Sequence, residues 1–143
     1  MPLRNGGFAV GLVARSTKRG KILLAYFFGP RREFVPRIDE VASLGVEHAL
    51  AVWRVGDLGL IQGDWPIIGK LDSWQRSDWP MPHFIRRELL PPYRNWRVYF
   101  SDADPAKRIK EEPETSARPE LPDDGLWGAG AAEIKLTELL DLP

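Results

Sequence analysis

Twice in quick succession, at Gly56-Asp57 and Gly63-Asp64, a Gly-Asp pair interrupts an apolar run. Glycine enters the positive-φ region without Cβ strain, so such pairs suit tight two-residue turns. In the first of these runs Ala49, Ala51, Trp53 and Val55 alternate with Leu50, Val52 and Arg54. Period-2 alternation is the mark of a strand. The spacing predicts a meander of three short strands over residues 49–74, with the second at 58–62 and the third running from Trp65 past Ile67, Gly69 and Leu71. Pro66 lacks an N–H and fits only near a strand start or an edge. Trp53 and Trp65 are read as core fillers, because buried aromatics contribute large apolar area.

The flanking text is also strand-like. Phe8, Val10, Leu12 and Ala14 alternate with smaller or polar residues, then a polar turn (STKRG) leads into KILLAYFF, too short an apolar run for an ordinary helix. Gly29-Pro30-Arg31-Arg32 ends it with turn chemistry. Ile38, Val41 and Leu44 share a helical face, with Gly45 placed to terminate a short helix over 38–44. Residues 75–95 carry four prolines and another tryptophan, and read as a structured loop with a short strand or helical turn at 84–89. Trp96, Val98 and Phe100 alternate with Arg97 and Tyr99 in a further strand.

Residues 103–122 are rich in Lys, Glu and Pro and read as an exposed connector within a single domain spanning 1–143. The C-terminal segment 126–142 re-enters the fold and packs back on the core, and its helix-forming residues favour a helix over 132–142. The expected fold is mainly β (α+β): a strongly bent antiparallel sheet or partly open barrel, with one short helix and a C-terminal helix.

The chain has no cysteine, which removes disulfides, thiolate metal sites and cysteine nucleophiles. No apolar run approaches the ~20 residues of a membrane span, and the N-terminal stretch lacks the h-region of a signal peptide, so a cytoplasmic protein is expected. The formal net charge is zero but unevenly spread. Residues 1–100 hold 15 Lys/Arg against 9 Asp/Glu, residues 101–125 hold 4 against 8, and residues 126–143 hold 1 against 3. An acidic tail of this kind either steers an anionic partner or folds back on the basic body, and the second is the expectation.

No catalytic constellation emerges, and neither a cofactor nor a metal site is expected. His48 and His83 are the only histidines and lack metal-ligand spacing. His83 lies in the aromatic loop with no motif-linked nucleophile, and Asp57 and Asp64 are explained by turn formation. Neither phosphate-binding glycine pattern is present, and GLWGAGAAE is read as close packing. Arg86, Arg87, Tyr93, Arg94 and Trp96 bring aromatic and basic residues together, a mixture found both in single-strand nucleic-acid binders and in protein interfaces. The zero net charge and the acidic tail argue against nucleic acid. Trp74, Trp79, Arg86, Arg87 and Tyr93 are the candidate partner-binding residues.

The opening GGFAVGLVARSTKRGKILLAYFFG resembles the start of the Imm26-type immunity proteins of bacterial polymorphic toxin systems. GDLGLIQGDWPIIGKL is similar to that family's central part through Gly63, Trp65, Ile68 and Gly69, and GLWGAGAAEIKL is similar to a glycine-rich ending among relatives. The resemblance implies a cytoplasmic, antitoxin-like protein that binds and neutralises a cognate toxin with no catalysis of its own. The matching residues look structural and transfer no binding site. A small phosphotriesterase-like hydrolase using His83 and carboxylates is the second reading, and a single-stranded nucleic-acid-binding β-barrel the third.

Overall fold

The computed structural model describes all residues, 1–143. Its centre is β2 (Ile22–Arg32), in which every residue from Leu23 to Phe28 is buried. A strand buried on both faces reads as a continuous apolar run rather than an alternating one, which accounts for KILLAYFF. β2 pairs antiparallel with β1 (Phe8–Ser16) and with β3 (Ala51–Gly56). The short β7 (Leu126–Trp127) adds to β3 in parallel, giving the order β1-β2-β3-β7. A second sheet is fully antiparallel, in the order β4 (Phe84–Arg87), β5 (Asn95–Ser101), β6 (Asp104–Glu114). Neither sheet closes into a barrel.

The two faces of β2 make two cores. Leu23, Ala25 and Phe27 pack with Trp53, Val55 and Trp65 beneath the C-terminal helix α3 (Ala129–Asp141), which contributes Ala132 and Leu136. The ring centroids of Phe27 and Trp53 are 5.2 Å apart. Leu24, Tyr26 and Phe28 face the other way, against Trp79 and the second-sheet residues Phe84, Val98 and Phe100. α3 lies so close to β2 that a Cβ on Gly29 would stand 2.8 Å from Leu140.

Two buried arginines join the layers. Arg15 donates to the carbonyl of Asp102 (Nε–O 2.7 Å) and to its carboxylate at 3.0 Å. Arg54 donates to the carbonyls of Pro105 and Asp124, each at 2.7 Å. Arg15 thereby ties the first sheet to the turn between β5 and β6, and Arg54 ties it to β6 and to the chain that follows it.

Three expectations are corrected. The meander is absent: Leu58–Ile61 forms a single helical turn, α2, and 65–71 pairs with no strand. The cause is Trp65, whose N–H donates to the carbonyl of Gly59 at 2.9 Å and whose indole lies where a Cβ on Gly59 would be. Folding the chain back onto its own glycine buries the indole, which a straight strand would have left on one face of a hairpin. Second, residues 104–114 are a regular strand rather than connector. β6 is an edge strand whose charged residues face solvent or pair across to β5, so it needs little apolar content. Third, the helix expected over 38–44 is confined to α1 (Ile38–Val41). No helix is long and apolar enough to cross a membrane.

Candidate partner-binding surface

The β4–β5 hairpin is rooted deeply and ends openly. Phe84 and Ile85 are fully buried at its base. Ile85 is also clamped along the free edge of β4: its N–H donates to Pro122 at 2.9 Å, and its carbonyl accepts from Asp124 N–H at 3.0 Å. The hairpin closes through Glu88 N–H to the Arg94 carbonyl and Tyr93 N–H to the Leu90 carbonyl, each 2.9 Å. At the tip, Leu89, Leu90 and Tyr93 are 88%, 76% and 64% exposed. The sequence accounts for this. Leu-Leu runs directly into Pro-Pro, whose rings cannot donate to a ladder, so the chain turns before either leucine reaches the core. Tyr93 completes the turn in the left-handed region at φ +57°.

Below the tip lies a bed of paired charges. Trp96 donates its indole N–H to Glu88 at 2.9 Å, and the guanidiniums of Arg86 and Arg94 sit 5.5 Å and 5.4 Å from its ring centroid. Arg86 donates to Glu111 at 2.8 Å, and Arg87 to Asp123 at 2.7 Å. The hydrogen bond from Trp96 leads the interactions that hold the Glu88 carboxyl below the usual range. The pairs are asymmetric. Arg94 is 61% exposed over Glu88 at 21%, and Arg118 is 45% exposed over Glu114 at 9%. In these two pairs the guanidinium lies outward and the carboxylate beneath, whereas in Arg87–Asp123 the carboxylate is the more exposed partner.

Of the five residues expected to bind a partner, three belong to this hairpin: Arg86, Arg87 and Tyr93. Trp79 does not present a surface. It is 4% exposed, with its ring edge-on to Tyr26 at 5.2 Å and Phe28 at 6.0 Å. Trp74 is 37% exposed and lines a groove elsewhere, beside Leu44 and Leu71. Leu89 and Leu90, absent from the residues expected to bind a partner, join them at the tip, as does Arg94 of the aromatic and basic cluster. Their signal was a pair of large apolar residues stranded against Pro-Pro.

The outer face of the second sheet carries the remaining polar chemistry. His83 stacks on Tyr99 with centroids 4.2 Å apart and lies 3.4 Å from an Arg97 nitrogen. Burial first, and then Arg97, pushes its pKa below the usual histidine value. Tyr99 donates to Glu112, which also pairs with Lys110 at 3.0 Å. His48 sits far off in a 3₁₀ turn, where its Nδ1 accepts from Gly45 N–H at 2.9 Å. No group of three or more His, Cys, Asp or Glu side chains is gathered to hold a metal ion. Asp57 accepts from Lys21 N–H at 2.7 Å and so fixes the end of the β1–β2 hairpin.

The sequence model of the family Immunity protein 26 matches residues 1–96. The chain belongs to that family. No curated protein and no solved structure matches it. In this immunity protein the match ends at Trp96, one residue into β5, yet the fold does not divide there. Arg15, Arg86 and Arg87, all within the matched part, find their carboxylates at Asp102, Glu111 and Asp123, beyond it. The basic body and the acidic C-terminal third are therefore two halves of one internal charge pattern.

Proposed function

We propose that this immunity protein neutralises a cognate toxin by binding it in the cytoplasm, with no catalysis of its own, and that the β4–β5 tip carries the contact. The observation that carries the reading is the exposed trio Leu89, Leu90 and Tyr93 on a hairpin whose base is locked into the core. Apolar and aromatic side chains held on a rigid support are the usual anchors of a protein interface. Arg86, Arg87 and Arg94 form the polar rim. Each is already paired with a carboxylate, so its guanidinium is oriented before the partner arrives.

The test is co-expression with the toxin module encoded beside the immunity gene. The wild-type chain is expected to co-purify with the module and to protect cells expressing it. Replacing Leu89, Leu90 and Tyr93 with serine is expected to leave the fold intact and abolish both effects. Failure of the wild-type chain to associate or protect overturns the reading. A triple variant that still binds and protects removes the tip from it.

A further inference from the structure

A groove lies beside Trp79. The turn after α1 and the following 3₁₀ turn form one wall of the groove, and residues 71–80 form the other. Leu44, Leu71 and the buried Trp79 make its floor, and the half-exposed Trp74 stands on its rim. Its volume, about 510 Å³, is in the range of sites that hold a small ligand or a few side chains.

The charge of the lining is one-sided. Glu47 and Asp78 both line the groove, and no lysine or arginine does. Of the two basic side chains that adjoin lining residues in sequence, Arg76 is bound to the Asp102 carbonyl at 3.0 Å, and Lys70, beside Leu71, is not among the lining residues. Glu47 has only the neighbouring His48 within ion-pair distance, at 3.5 Å. Neither carboxylate sits against an arginine, and both open into a groove that Trp74 and Trp79 also line. Two carboxylates and a partly exposed tryptophan lining one groove suit a cation with an apolar stem: the charge meets the acids, and the stem covers apolar surface.

We propose that this groove receives an arginine or lysine side chain presented by a protein partner, with its cation between Glu47 and Asp78 and its stem against Trp74. That the partner is the toxin rests on the immunity reading above; the recognition chemistry does not. The segment from Trp79 to Phe84 runs from the groove directly to the base of β4, so the groove is continuous in chain with the hairpin.

Two measurements decide it. The first titrates the full-length protein with acetyl-Gly-Arg-Gly-amide and with its citrulline counterpart, following the Trp74 indole N–H by NMR, assigned by its loss in Trp74→Phe. The arginine peptide is expected to shift that resonance and the neutral peptide to leave it in place. The shift is expected to weaken in Asp78→Asn and to vanish in Glu47→Gln/Asp78→Asn. No shift, or an equal shift with citrulline, overturns the proposal. The second compares toxin affinity of the wild type and the double variant. A loss of about tenfold, with a shallower salt dependence, is expected from removing a charge-complementary contact. Unchanged affinity overturns the groove and leaves the immunity reading standing. A wild-type chain that binds no toxin overturns the immunity reading, while the peptide titration still decides the groove.

Discussion

The guanidinium of Arg54 lies over the ring of Phe100, 3.9 Å from Cζ to the centroid. Arg54 belongs to β3 in the first sheet and Phe100 to β5 in the second, so this one contact crosses the interior of the protein. The same side chain closes two main-chain carbonyls, those of Pro105 and Asp124. Replacing it with methionine keeps apolar volume but leaves both carbonyls without a donor. The expected loss is about 3 kcal/mol, since hydrogen bonds to charged donors are worth about 1.5–3 kcal/mol and an orphaned buried acceptor costs about 1–3 kcal/mol. Urea denaturation measures it. A variant within 0.5 kcal/mol of wild type, the usual span of a surface change, would show that the clasp is dispensable.

Gly59 is required by Trp65, not by its own backbone. Adding a methyl group there overlaps the indole. Gly59→Ala is therefore expected to destabilise by about 1–3 kcal/mol, the cost of overpacking a filled site. The same substitution at Gly63, whose Cβ would meet nothing but whose φ is +78°, tests backbone strain instead. Fluorescence-monitored melting should show Trp65 displaced in the first variant only.

Leu136 is fully buried where α3 covers β2 and β3. Leu136→Ala is expected to cost about 3 kcal/mol through lost burial and a residual cavity. Exposed Leu142, at the end of the same segment, should tolerate alanine within about 0.5 kcal/mol. Chemical denaturation of the pair separates a packed helix from an appended one.

Acid should loosen the second sheet first. For Glu114, burial pushes the carboxyl upward, but hydrogen bonds from the Ser116 backbone, Arg97, the Ser116 hydroxyl and Arg118 outweigh it and bring the value down to about 2. Glu112 is lowered by Tyr99 and then Lys110, and Asp102 by Arg15. A depressed carboxyl pKa contributes stability that is complete above its unfolded value and is lost as pH falls through its folded one. For Glu114 that window runs from about 4.5 down to about 2. Asp124 runs the other way: burial raises its pKa, so its protonation relieves the fold as pH drops. Urea midpoints taken across the window are expected to fall with pH, and to fall less in Arg97→Gln. Equal slopes in the two proteins would remove Glu114 from the account.

The strands most plainly written in the sequence are those whose side chains have one task. β1, β3 and β5 alternate, and β2 is apolar from Ile22 to Phe28, where both its faces are covered, although it continues as a strand through Gly29–Arg32, which reads as a turn. The C-terminal helix is legible for the same reason, since Ala132, Leu136, Leu139 and Leu140 share a face. β6 is not legible, because an edge strand satisfied by cross-strand ion pairs has the composition of a solvated connector. Nor is α2, which exists only because a tryptophan six residues later needs a glycine beneath it. The surface is subtler still. Trp74 and Trp79 stand five residues apart in similar surroundings, yet only Trp79 meets the Tyr26 and Phe28 rings. Which indole is drawn inward depends on residues some fifty positions earlier, and no local pattern records it.

The arginines that hold the two layers together grip largely main-chain oxygens. A carbonyl has no proton to gain in acid and, once enclosed, no counterions to attract. Salt or acid that unzips the outer ladder of the second sheet therefore leaves their main-chain bonds closed, even where the Arg15–Asp102 ion pair is lost. The order of opening is set in advance: amide hydrogens in β6 should exchange first and those of β2 last, with the loss of the clasps coinciding with global unfolding.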